Sequence, residues 1–152
     1  MLSASRVKLN ELELADKFVF HGSGYRVSVL EPRQAQTIVD GQIVDDGPPA
    51  IYASSLLDYA IFMSLLNKEN CPDGARSSCS YEDGRLIFGA SQATLDQLNE
   101  NSVGHVHVLH RSDFSQRGGC EWFATTEQKP VEIIEVRWSD FTCPISIIKH
   151  GL

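Results

Sequence analysis

Hydrophobic and polar positions alternate most cleanly over residues 103–109. Val103, His105, His107 and Leu109 fall on one side and Gly104, Val106 and Val108 on the other, the period-two signature of a strand. A second periodicity marks residues 56–66, where Leu56, Leu57, Ala60, Ile61, Met63, Leu65 and Leu66 draw an apolar helical face with Ser54 or Ser55 as its cap. Runs of β-formers predict strands over 18–20, 50–53, 85–89, 121–124, 131–138 and 145–148, the first of them stopped by Gly22 and Gly24. Short helices are predicted over 9–16 and 91–99, the latter with Leu95 and Leu98 inward. Two polar stretches read as connections: 31–49, ending in the turn signal Asp45-Asp46-Gly47-Pro48-Pro49, and 71–84, a mobile loop. Strands dominate, and helices sit between them in the first two-thirds. That predicts an α+β fold with a split or two-layer antiparallel sheet, residues 1–152 forming one domain.

Composition narrows the classes of function. The chain has 152 residues, 42% hydrophobic and 22% charged, enough to bury a core without disulfides. No apolar run reaches the roughly 20 residues of a membrane span, and the first 16 residues lack a secretory apolar core. A cytoplasmic protein is the expectation, and an effector exported by another route has the same appearance. The net charge of −7 argues against broad phosphate-backbone binding, though it leaves room for one small basic pocket. Cys71, Cys79, Cys120 and Cys143 show neither CxxC pairing nor zinc-ribbon spacing, so reduced thiols are expected.

Three short constellations carry chemistry. In Phe20-His21-Gly22-Ser23 an imidazole, a bare backbone and a hydroxyl meet at a strand end, and glycine lets a ligand approach the main chain. In Ile51-Tyr52-Ala53-Ser54 a tyrosine on a strand entering a helix can offer its ring face to a flat ligand. In Gly118-Gly119-Cys120-Glu121-Trp122-Phe123 two glycines place a carboxylate at the mouth of a strand. Each alone reads as an ordinary strand end, core aromatic or charged edge.

In this order the three resemble the ADP-ribosyltransferase superfamily, in the His-Tyr-Glu branch of diphtheria toxin and the poly(ADP-ribose) polymerases. The matching residues are His21-Gly22-Ser23, then Ile51-Tyr52-Ala53-Ser54, then Glu121-Trp122-Phe123, with Pro130-Val131-Glu132-Ile133-Ile134-Glu135-Val136 resembling the apolar strand that follows the family's glutamate strand. The resemblance implies a split antiparallel β-sheet core with short helices, NAD as co-substrate and no metal. It implies that the Gly22 main chain holds the nicotinamide carboxamide with help from Ser23, that His21 bonds the adenosine-side ribose, and that Tyr52 stacks on the nicotinamide. Glu121 would bond the nicotinamide ribose and stabilise its oxocarbenium-like transition state. Cleavage leaves positive charge on the ribose, which a placed carboxylate favours, and an aromatic seat aligns the leaving ring. Ser54 belongs to the same cofactor-binding motif. The family's second aromatic wall falls near Phe62 and Met63, with Tyr59 as the alternative one turn earlier. Gly119 stands where the arginine-modifying branch carries Glu or Gln, which directs the expected chemistry away from arginine. The expected activity is mono-ADP-ribosyl transfer or NAD hydrolysis, with the acceptor (protein, nucleic acid or small molecule) unread.

Other readings compete. His105, His107 and the nearby His110 suggest a metal, but no third ligand has convincing spacing and surface histidines are favoured. An RNA 2′-phosphotransferase resembles this chain at His21-Gly22-Ser23 and again at Gly104-His105-Val106-His107-Val108. It would need Arg26, Arg33 and Arg111 to converge on an RNA phosphate. A non-catalytic module binding ADP-ribose or NAD is the third possibility, and it gains nothing from Glu121.

Overall fold

The computed structural model describes residues 2–34, 36–45 and 47–149. Asp46, inside the predicted turn, lies outside the described residues. The fold is α+β, with mostly antiparallel sheets. Helix α1 (Ala4–Leu14) starts earlier than the apolar pattern suggests, because the Ser3 hydroxyl accepts from the Arg6 N–H and caps it. Buried Arg6 then ties the helix down, reaching Asp58 Oδ1 and the Asp140 carbonyl, each at 2.8 Å.

Six strands form the main sheet. β1 (Phe18–Ser23), β4 (Ile51–Ser54), β7 (Val103–His110), β8 (Ser115–Gly118), β9 (Glu121–Ala124) and β10 (Glu132–Arg137) lie in the order β10-β7-β1-β4-β9-β8, every pair antiparallel. A smaller sheet joins β5 (Ser77–Glu82), β6 (Arg85–Ser91) and β11 (Ile145–Ile148), with β11 parallel to β6. The hairpin of β2 (Gln36–Val39) and β3 (Gln42–Asp45) stands apart, leaving Ile38 and Ile43 largely exposed.

Several expectations are corrected. β1 does not stop at Gly22 but pairs through it to Ser23, opposite His105. The polar connection 31–49 holds the β2–β3 hairpin, and the loop 71–84 holds β5. Both hairpins close on Asp-Gly turns, Asp40-Gly41 and Asp83-Gly84, with positive φ at both residues, the geometry that matches strand twist. The helix over 91–99 shortens to α3 (Gln92–Leu95), capped by Ser91.

The alternation read from residues 103–109 sorts the core. Val106 and Val108 pack with Phe20, Ile134 and Val136 beneath helix α2 (Leu57–Leu65), while Leu109 joins Val19, Ile51, Ala53 and Ala124 on the reverse face, covered by Leu30 and Phe114. α2 lies unusually close to the sheet. A Cβ on Gly22 would come 2.1 Å from the Ala60 carbonyl oxygen, and one on Gly104 2.3 Å from Ser64 Oγ. Neither Ser54 nor Ser55 caps α2. Leu56 occupies the cap position without a side-chain bond, and Glu13 Oε2 of α1 accepts from the Leu57 N–H at 2.6 Å. The Ser54 hydroxyl instead accepts from the Leu56 N–H.

Candidate functional site

β1 and β4 meet at the Phe20–Ser54 pair. Past it a side chain makes the link: His21 Nδ1 lies 2.7 Å from the Tyr52 carbonyl oxygen. A carbonyl only accepts, so Nδ1 carries the proton and Nε2 keeps its lone pair. Burial lowers the His21 pKa, and the Arg33 charge lowers it further against the opposing effect of the Tyr52 bond. The ring is therefore neutral at physiological pH, with Nε2 an acceptor suited to a hydroxyl.

Beside this junction lies a cavity of about 380 Å³, the size of a small-ligand pocket. β1 contributes Phe20, His21 and Gly22, β4 contributes Tyr52, Ala53 and Ser54, and Glu121 stands at the start of β9. Because Tyr52 pairs with Phe123 and Ser54 with Glu121, ring and carboxylate rise from the same face of adjacent strands. Tyr59 and Met63, one helical turn apart on α2, form the opposite wall. Burial first, then the neighbours Cys79, Glu121 and Cys120, raise the Tyr59 pKa, which keeps its hydroxyl protonated and a donor.

Two expected members lie elsewhere. Phe62 turns inward and is fully buried, its ring 4.8 Å from Phe88 and 5.1 Å from Phe141, so it is core and not a cavity wall. Met63, expected on the inward apolar face, takes the outward position instead. Ser23 is not among the lining residues, and its hydroxyl accepts from the Tyr25 N–H in a local turn.

The smaller sheet supplies a wall whose strand β5 the sequence reading missed, taking 71–84 as a loop flanking the site: Cys79, Ser80 and Tyr81 of β5 and Leu86 of β6. Tyr81 packs on Gly119, where a Cβ would meet its ring at 2.8 Å. The signal was present as Asp83-Gly84 between Tyr81 and Leu86. All four cysteines are free, and burial pushes the Cys79 thiol up to about 11, leaving it an unreactive lining group. Arg117 was missed too. Its Nη1 lies 3.5 Å from Glu121 Oε1 and its guanidinium carbon 5.4 Å from the Tyr52 ring centre.

On the reverse face His107 is fully buried, not a surface histidine as expected. Its Nε2 accepts from the Val27 N–H at 2.9 Å and its Nδ1 donates to the His21 carbonyl at 3.2 Å, so neither nitrogen is open to a metal. Arg26 and Arg33 act electrostatically on His107 and His21, whose rings lie 5.9 Å apart. Arg111 is bound to Asp16 just past the opposite end of β7, so the three arginines do not converge.

No helix among the described residues is long and apolar enough to cross a membrane. Comparison with protein-family models, with curated proteins and with solved structures finds no match to this chain.

Proposed function

We propose that the protein is an NAD-dependent mono-ADP-ribosyltransferase that cleaves the nicotinamide–ribose bond in the cavity between β1, β4 and β9. One observation carries this reading: His21, Tyr52 and Glu121, far apart in the chain, stand on three neighbouring strands and line one cavity. A neutral imidazole acceptor, an aromatic face and a carboxylate suit a ribose hydroxyl, a nicotinamide ring and a developing oxocarbenium ion respectively. Tyr59 supplies the second aromatic surface in place of Phe62. The acidic balance of the chain and the separation of Arg111 from Arg26 and Arg33 weigh against an RNA 2′-phosphotransferase.

The test is transfer of label from NAD labelled in its ADP-ribose half to components of a cell extract. Wild type is expected to label an acceptor and Glu121→Gln to lose the transfer, since the amide cannot supply the carboxylate charge. Labelling that survives the substitution refutes the role of Glu121.

A further inference from the structure

A second hollow, of about 460 Å³, shares no lining residue with the cavity of Glu121 and opens beside the reverse-face core. Its lining is Lys17, His110, Arg111, Ser112, Phe114 and Trp122. We propose that this hollow binds the phosphate group of a small molecule, held by Lys17 and Arg111 with the Trp122 indole N–H as a further donor. The inference stands apart from the NAD reading.

Strand pairing brings these groups together. Phe18 opposes His110 at the end of the β1–β7 ladder, and just beyond it the Arg111 N–H donates to the Lys17 carbonyl at 3.0 Å, so the two cationic residues stand opposite each other. Phe114 and the partly buried Trp122 of β9 belong to the reverse-face core and supply the apolar part. The Arg111 guanidinium carbon lies 5.6 Å from the Trp122 ring centre. Asp16 steadies it, its Oδ1 accepting from Nη1 at 2.7 Å and its carbonyl from Nη2 at 2.5 Å. A guanidinium has five N–H donors, so these two bonds leave donors to spare. The Asp16 side chain is 83% exposed, and water screens its charge. Among the described residues no acceptor pairs with the Lys17 ammonium, whose contact is the Phe18 ring, and none accepts from the buried Trp122 Nε1–H. A buried donor without an acceptor is costly, and this one belongs to a wall shared with two cations. Donors on three separate segments suit an anion with several acceptor oxygens. A phosphate monoester brings three, with about two negative charges. The volume is that of a small-ligand pocket and leaves room for the organic group that carries the phosphate.

The chain has two tryptophans, so the Trp122 indole N–H resonance reports the hollow and that of Trp138, stacked on Phe141, is an internal control. Inorganic phosphate is titrated into the protein by NMR at constant ionic strength, in parallel with chloride and acetate. The Trp122 signal, identified by its loss in Trp122→Phe, is expected to move saturably with phosphate while that of Trp138 stays. Lys17→Ala, a change at an exposed position, is expected to weaken phosphate binding about fivefold and Arg111→Ala to weaken it more. The unshifted Trp138 signal verifies that both variants keep their fold. Phenyl phosphate distinguishes the sources of the group: tighter binding than inorganic phosphate marks an organic phosphate as the ligand, and equal or weaker binding marks the free ion. No response of Trp122 to phosphate, an equal response to acetate, or full affinity in both Lys17→Ala and Arg111→Ala overturns the proposal.

Discussion

His107 shows how one buried side chain holds two segments in register. It donates to the carbonyl of His21 and accepts from the N–H of Val27, which fixes the strand carrying His21 and the segment crossing over it. The bond from Val27 requires the neutral ring, because only an unprotonated Nε2 accepts, and burial pushes the pKa of His107 down to about 4 against the opposing effect of the His21 bond. In the unfolded chain the same ring titrates near about 6.5. Between those values the unfolded state binds the proton and the folded state does not, so stability is complete above about pH 6.5 and falls as pH drops toward 4. The expected loss from this group is on the order of 2 kcal/mol, read from urea unfolding at pH 7 and pH 4.5. His107→Gln is expected to be less stable at pH 7 and to lose most of that acid sensitivity. A variant that keeps the full acid dependence contradicts the assignment. From the sequence, His107 was legible as a strand residue facing the same side as Leu109. Its burial was not, because that depends on Val27, eighty positions away, folding over it.

At the scale of elements, the seating of α2 on the sheet is set by two glycines. Gly22→Ala and Gly104→Ala each drive a methyl into the backbone or side chain of α2, and each is expected to destabilise by about 2–3 kcal/mol or more. Gly118→Ala, whose Cβ meets nothing within 4 Å, is the control and is expected to be near neutral in thermal unfolding. Equal effects at all three positions would remove the packing explanation. Gly22 thus has a structural duty that reading it as a ligand contact alone does not include. The strands facing a continuous core, such as those around Phe20, Val106 and Ile134, were legible because their apolar positions recur at strand period. The strands β2, β3 and β5 were not read, since they are largely exposed and carry no burial pattern, whereas β6 with its buried Phe88 was. Their Asp-Gly turns were the remaining signal, and a polar composition outweighed it in the reading. The cap of α2 was illegible for another reason: Glu13 belongs to a different helix.

Over the whole molecule, strand order brings scattered motifs to one cavity, the candidate site. His21, Tyr52 and Glu121 lie on β1, β4 and β9, consecutive in the sheet though separated in the chain by two hairpins, the helices α2 and α3 and the strands β7 and β8. Each residue was singled out in the sequence by the order of the three motifs, since each motif alone reads as ordinary structure. Of the cavity wall from Cys79 to Leu86 the sequence showed only a flanking loop over 71–84, because its strands line the site only when the smaller sheet folds against the larger. That shared cavity is the basis for reading NAD as the ligand. The most direct test incubates the purified protein with NAD alone, without RNA or extract, and follows free nicotinamide. The account predicts release by wild type and a loss of about a hundredfold or more in Glu121→Gln. No release by wild type, or equal release by both proteins, would contradict it.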